Sequence, residues 1–212
     1  MRPIYLNKSI LKTGHISVVT LKNAKEINEK IRDAYQWFQD NNRLNWMQTN
    51  LTCEHTPYIS HRMCEQLQPV YDEFKTHAVQ YFAQTKKYRY GIDKFTECAE
   101  MWIAKYEAGH HAELHTHFPF HLAMTYYLDI DDPRPIEFEV YDPEYGWVLD
   151  SIAPSEGMLV MFDGDIKHRV LPVRGNRTCV ASNWYFDLAA HMKAGYDGEI
   201  DQKNIAPEEI IS

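Results

Sequence analysis

His115, Thr116 and His117, then His168 far down the chain and Arg177 nine positions beyond it, are the residues best suited to chemistry. Two histidines at i and i+2 on a strand project from one face, and a third from a distant strand can complete a face of three ligands. Imidazole nitrogen suits Fe, Zn, Cu and Ni. The planar two-pronged donor of an arginine matches a carboxylate. The set therefore points to a metal ion and a carboxylate-bearing molecule held in one barrel. If Glu113-Leu114-His115-Thr116-His117 is a strand, Glu113, His115 and His117 share one face and Leu114 and Thr116 the other. An isolated His-x-His also arises by chance, so the downstream pattern carries weight. There Pro154-Ser155-Glu156-Gly157 leads into the apolar run Met158-Leu159-Val160-Met161-Phe162, and a polar turn, 163–167, delivers His168. The turn Arg174-Gly175-Asn176 then brings Arg177 onto the following strand.

The elements that must position these residues fall into two halves. A helix is expected from about Asn23 to Phe38, with Ile27, Ile31, Ala34, Tyr35 and Phe38 at helical spacing and Asn41-Asn42 as its stop. A second helix is expected over 60–85, striped by Met63, Leu67, Val70, Tyr71, Phe74, Ala78 and Phe82. The run 16–19 could add an early strand. From Phe95 to Phe186 the pattern becomes short strands, near 97–106, 111–117, 121–129, 136–140, 147–152, 158–162, 168–171 and 177–186. Turn residues such as Asp131-Asp132-Pro133, Asp142-Pro143 and Asp163-Gly164-Asp165 separate them. About eight strands at this spacing fit a double-sheet jelly roll, giving a mainly β (α+β) fold. The expected organisation is one domain: a helical support region at 1–94, a jelly-roll core at 95–187 and a polar, acidic tail at 188–212.

Composition sets outer bounds. The 212 residues carry a net charge of −8 with no basic cluster, which disfavours a nucleic-acid partner. No run of about 18 apolar residues suggests a membrane span. The start of the chain lacks the apolar core of a signal peptide. Cys53, Cys64, Cys98 and Cys179 show no CxxC and read as free buried thiols of a reducing, cytoplasmic compartment.

Taken in order, these residues resemble the Fe(II)- and 2-oxoglutarate-dependent oxygenases, especially the prolyl-hydroxylase-like branch and the oxygenases common in phages and marine bacteria. The match runs from Trp102 to Trp184, roughly 40% of the chain. It comprises Tyr106-x-x-Gly109, the motif at His115, Tyr126-Tyr127-Leu128, Pro154-x-x-Gly157, the apolar strand ending in Phe162, His168 and Arg177. The resemblance implies a double-stranded β-helix (jelly roll) that uses Fe(II), 2-oxoglutarate and O2 to hydroxylate a protein side chain or a small molecule, releasing succinate and CO2. It implies a setting in the cytoplasm, the host's if the chain is phage-encoded. It makes His115 and His168 iron ligands and Arg177 the anchor of the far carboxylate of 2-oxoglutarate. Tyr127 and Tyr106 become pocket tyrosines, and Asn183, inward by the parity of Arg177, a further lining residue. Trp184 by the same parity faces away.

One position departs from the family. His117 stands where the common motif has a carboxylate. His117 could ligate, could point away, or could yield its place to Glu113 or Asp165; His111-Ala112-Glu113 offers another register. The departure keeps two competing readings open: a cupin-like three-histidine metalloenzyme that does not use 2-oxoglutarate, and a non-catalytic metal-binding jelly-roll module.

Overall fold

In the computed structural model of the protein, the described residues are 16–48, 51–85, 91–142, 144–187 and 189–190. The start of the chain, Pro143 and nearly all of the expected tail lie outside them. The elements are β1 (Ile16–Thr20), α1 (Ala24–Asp40), β2 (Asn45–Gln48), β3 (Leu51–His55), α2 (Ser60–Met63), α3 (Gln68–Thr85) and α4 (Ile92–Phe95). Then follow β4 (Thr96–Tyr106), β5 (Ala112–His115), β6 (Leu122–Ile130), β7 (Ile136–Asp142), β8 (Gly146–Ile152), β9 (Met158–Asp163), β10 (His168–Val170) and β11 (Arg177–Phe186).

The strands form one curled antiparallel sheet in the order β1-β9-β6-β11-β4-β3-β5-β10-β7-β8, with β2 paired to β3 beside it. Strand β3 is the stitch: His55 lies opposite Ala104 of β4, and Leu51 opposite Ala112 of β5. The curl sets β1-β9-β6-β11-β4 against β5-β10-β7-β8, the two faces of a jelly roll. Every strand expected after Phe95 is present.

Strands covered on both faces need apolar residues at both parities. Strand β9 meets that need with Leu159 and Met161 toward the helices and Val160 and Phe162 toward the barrel interior. Strand β6 does the same with Leu122, Met124, Tyr126 and Leu128 outward and Ala123 and Tyr127 inward. Ile27, Ile31, Ala34 and Phe38 of α1 and Val70, Phe74, Ala78 and Phe82 of α3 cover the outer face. Trp184 is fully buried on that helical side, as its parity requires.

Two expectations need correction. The segment 60–85 is not one helix: Cys64 is extended (φ −135°, ψ 113°), and α3 begins afresh at Gln68. Pro69 is the reason, because its ring lacks the N–H and would clash with a carbonyl one turn earlier, whereas the first turn of a helix tolerates it. Nor is the rest of the N-terminal region purely helical: beyond the early strand expected at 16–19, which is β1, strands β2 and β3 also join the sheet. All four cysteines are free and buried. Among the described residues, no helix is long and apolar enough to cross a membrane.

Candidate functional site

Strands β5 and β10 bring His115 and His168 side by side as direct cross-strand partners. His117 lies just beyond the end of β5 and turns inward, its Nε2 3.2 Å from His168 Nε2. One ring nitrogen from each of His115, His117 and His168 falls within 4.8 Å of the other two. Metal–imidazole bonds of about 2.0–2.1 Å, at tetrahedral to octahedral angles, put ligand nitrogens about 2.8–3.4 Å apart, so the 3.2 Å pair already has the spacing of two ligands.

The remaining ring nitrogens fix the tautomers. His115 Nδ1 donates to the Glu113 carbonyl at 2.6 Å, and His168 Nδ1 to the Ile166 carbonyl at 3.2 Å. A carbonyl only accepts, so Nδ1 carries the proton and each Nε2 keeps its lone pair for a ligand. All three rings resist protonation. Burial, then its histidine neighbours, holds His168 well below the usual histidine range. Burial, then the nearby His115, lowers His117 to about 3, and burial lowers His115. His168 is buried, while His115 and His117 keep partial exposure on the open side. Glu113 and Asp165 are exposed and stand outside the cluster. His111 is occupied elsewhere, its Nδ1 3.1 Å from the Thr52 hydroxyl.

The inward turn at His117 depends on Gly164. The His117 amide donates to the Gly164 carbonyl at 2.7 Å, and the Gly164 amide to the His121 carbonyl at 3.2 Å. A Cβ on Gly164 would lie 2.1 Å from the Phe120 carbonyl oxygen. Only glycine lets these two backbones approach so closely.

Arg177, Tyr127 and Tyr106 meet elsewhere in the interior. Arg177 lies opposite Tyr106 in the sheet, and its guanidinium carbon is 5.6 Å from the centre of the Tyr127 ring. Arg177 is 1% exposed, and its Nη2 donates to the Arg134 carbonyl. Its Nε and Nη1, and the Tyr127 hydroxyl, are buried without a partner among the described residues. Burial raises the Tyr127 and Tyr106 hydroxyls well above the usual range, so both stay protonated. Tyr106 lies near the Cys53 thiol. The unmatched donors thus belong to Arg177 and Tyr127, and an anion with two oxygens would satisfy them.

Asn183 is also buried and inward, but six residues further along β11, about 20 Å from Arg177 at strand rise. Its Nδ2 donates to Glu100 Oε2 at 2.7 Å. Glu100 carries no sequence signal beyond the inward parity it shares with Tyr106 and Trp102 on β4. Trp102 also joins the site, its ring 6.4 Å from that of His117.

A jelly-roll barrel holding a histidine cluster and a buried arginine defines the class of fold and site. No protein-family model and no curated protein sequence matches the chain. Solved structures do. A prolyl-4-hydroxylase from Pseudomonas putida superposes with a TM-score of 0.58 at 18% identity, over 81% of this chain and 92% of that one. A prolyl hydroxylase from Trichoplax adhaerens, solved with a peptide fragment of the hypoxia inducible factor oxygen degradation domain, gives 0.60 at 14% identity, over 84% and 86%. The non-heme alpha ketoglutarate dependent epimerase SnoN of nogalamycin biosynthesis gives 0.60 at 11% identity, over 81% and 76%. The chain has the fold of these enzymes.

Proposed function

We propose that the protein is an Fe(II)- and 2-oxoglutarate-dependent oxygenase that hydroxylates its substrate and releases succinate and CO2. The observation that carries this reading is the pair of unmatched buried donors on Arg177 with the unmatched Tyr127 hydroxyl, enclosed in the same barrel as the three histidines. A buried guanidinium with two idle N–H groups is costly unless an anion completes it. The 5-carboxylate of 2-oxoglutarate suits it in charge and shape.

In this reading His115, His117 and His168 hold the iron through Nε2. Bound there, Fe(II) supplies the redox chemistry that consumes oxygen and the oxo-acid and leaves a hydroxyl group on the substrate. The chain supplies position and shelter. The Glu113 and Ile166 carbonyls lock two imidazoles in the ligating tautomer. Arg177 and Tyr127 orient the co-substrate, and Phe138 and Phe162, packed on His168, exclude water from one side. Four buried free thiols fit a cytoplasmic setting, that of the host if the gene is a phage's. The substrate is a small molecule or a protein side chain; the Trichoplax neighbour binds a peptide.

His117 favours a second reading, a cupin-like three-histidine metalloenzyme without 2-oxoglutarate, because the face it completes is uncharged. The test is succinate release from labelled 2-oxoglutarate with Fe(II) and oxygen, comparing wild type with Arg177→Ala. Turnover lost in the variant supports the oxygenase. Iron binding with no 2-oxoglutarate binding in wild type selects the second reading.

A further inference from the structure

The inward residues of β4 and β11 lie opposite each other in pairs: Tyr106 with Arg177, Ala104 with Cys179, Trp102 with Ala181, and Glu100 with Asn183. The series has two polar ends of opposite character. One offers donors, from Arg177 and Tyr127. The other offers acceptors. Asn183 is 2% exposed, and its Nδ2 is committed to Glu100. That bond fixes the amide, since the reverse orientation would set its oxygen against a carboxylate. Asn183 Oδ1 is therefore left buried with no partner among the described residues, beside a carboxylate that has further acceptor capacity. The next inward residue along β4 from Glu100 is Trp102, paired with Ala181. Tyr58 meets Trp102 edge-on at 4.8 Å, and Trp102 lies 6.4 Å from His117. Glu100 is only partly buried, so this end opens outward.

We infer that Glu100, Asn183 Oδ1 and the rings of Tyr58 and Trp102 form a substrate subsite for a cationic nitrogen, an ammonium or guanidinium group. The inference rests on the oxygenase reading for the bond that is oxidised, but not for binding itself. A carboxylate and an amide oxygen accept from two N–H donors of such a group, and the aromatic faces favour its charge. The subsite gives the substrate polarity: the charged nitrogen at Glu100, and the reacting carbon nearer the histidines, past Trp102. A neutral proline ring has no donor for these acceptors, so the chain's preference differs from what the names of its prolyl-hydroxylating neighbours would suggest.

The test is calorimetric titration of the full chain with acetyl-Gly-Lys-Gly-amide and its Nε-acetylated counterpart. It is run once with chelator and once with Mn(II) and 2-oxoglutarate, in about 0.5 M salt to screen the overall negative charge. The cationic peptide is expected to bind about tenfold or more tightly than the neutral one. Glu100→Gln should abolish that preference. Tyr58→Leu, which leaves the buried pair intact, should weaken the cationic peptide about threefold and the neutral one less. Equal binding of the two peptides, a preference that survives Glu100→Gln, or no binding of the cationic peptide at about 10 mM would each overturn the inference. Cation preference in chelator without any metal or 2-oxoglutarate binding would sink the oxygenase reading and leave the subsite standing. The converse result would sink the subsite alone.

Discussion

Replacing Arg177 with methionine should make the metal-free protein more stable while destroying its response to 2-oxoglutarate. Arg177 is 1% exposed, and two of its N–H-bearing nitrogens lack partners among the described residues. Each unmatched buried donor costs about 1–3 kcal/mol, so the pair costs about 2–6. Against this, the substitution forfeits the charged hydrogen bond to the Arg134 carbonyl, worth about 1.5–3 kcal/mol. Methionine keeps an apolar stem to pack on Tyr127. The balance spans about −1 to +4.5 kcal/mol and centres on a gain of about 2 kcal/mol, in line with other replacements of buried charge by apolar groups. Urea unfolding in chelator measures it. In Mn(II)-loaded wild type, 2-oxoglutarate at about 100 times its Kd should add about 2.7 kcal/mol, or roughly 5–11 °C in Tm for a chain of this size. Arg177→Met should show no such rise. A variant destabilised by more than about 1 kcal/mol, with ligand protection intact, would show that Arg177 is a structural residue and refute the reasoning.

Gly164→Ala should cost about 1–3 kcal/mol through the collision with the Phe120 carbonyl. Because that strain moves His117, Co(II) affinity should fall on the order of 10- to 100-fold; an unchanged titration would detach Gly164 from the site. In chelator, stability should fall on acidification. The folded-state values of His117 and His168 lie below the unfolded value of about 6.5, so the unfolded chain takes up protons first and stabilisation present above that value is lost as pH drops toward about 3, the His117 value. From pH 7.5 to 5.5 the loss is about 1.4 kcal/mol per histidine, and a His117→Leu, His168→Leu double variant should show a flatter profile by urea unfolding. His117→Asp should still bind Co(II) but bind azide at least about tenfold more weakly, read from visible absorption; equal azide affinities would place residue 117 outside the ligand set.

The late strands were legible because strands covered on both faces must be apolar at both parities, and 158–163 and 122–130 are. The spacing of His115 and His168 was legible for the same kind of reason, since each stands at an element boundary marked by turn residues. Strands β2 and β3 were not, because their polar sequences, Asn-Trp-Met-Gln and Leu-Thr-Cys-Glu-His, make sense only once β4 and β5 are there to be stitched. Glu100 stayed hidden because its meaning comes from register: the pairing that begins at Arg177 and Tyr106 runs unbroken to Asn183 and Glu100. The position of His117 was open in sequence for a similar reason: it lies past its strand, where parity no longer rules, and the Gly164 carbonyl decides where it turns.

That replacement shifts the charge balance of the whole interior. With a carboxylate at 117, a divalent metal, Arg177 and a doubly negative 2-oxoglutarate would sum to zero. With His117 they sum to a net positive charge. Glu100, the inward carboxylate opposite Asn183, restores neutrality from outside the ligand set. A cationic substrate would pair with Glu100 and withdraw that compensation as it binds. The metal would then carry its excess positive charge only when substrate is present, the moment at which attraction for an incoming anionic or polarisable ligand is useful. On the proposed reading, a carboxylate at residue 100 rather than 117 would tie the electrostatics of the metal to occupancy of the substrate subsite.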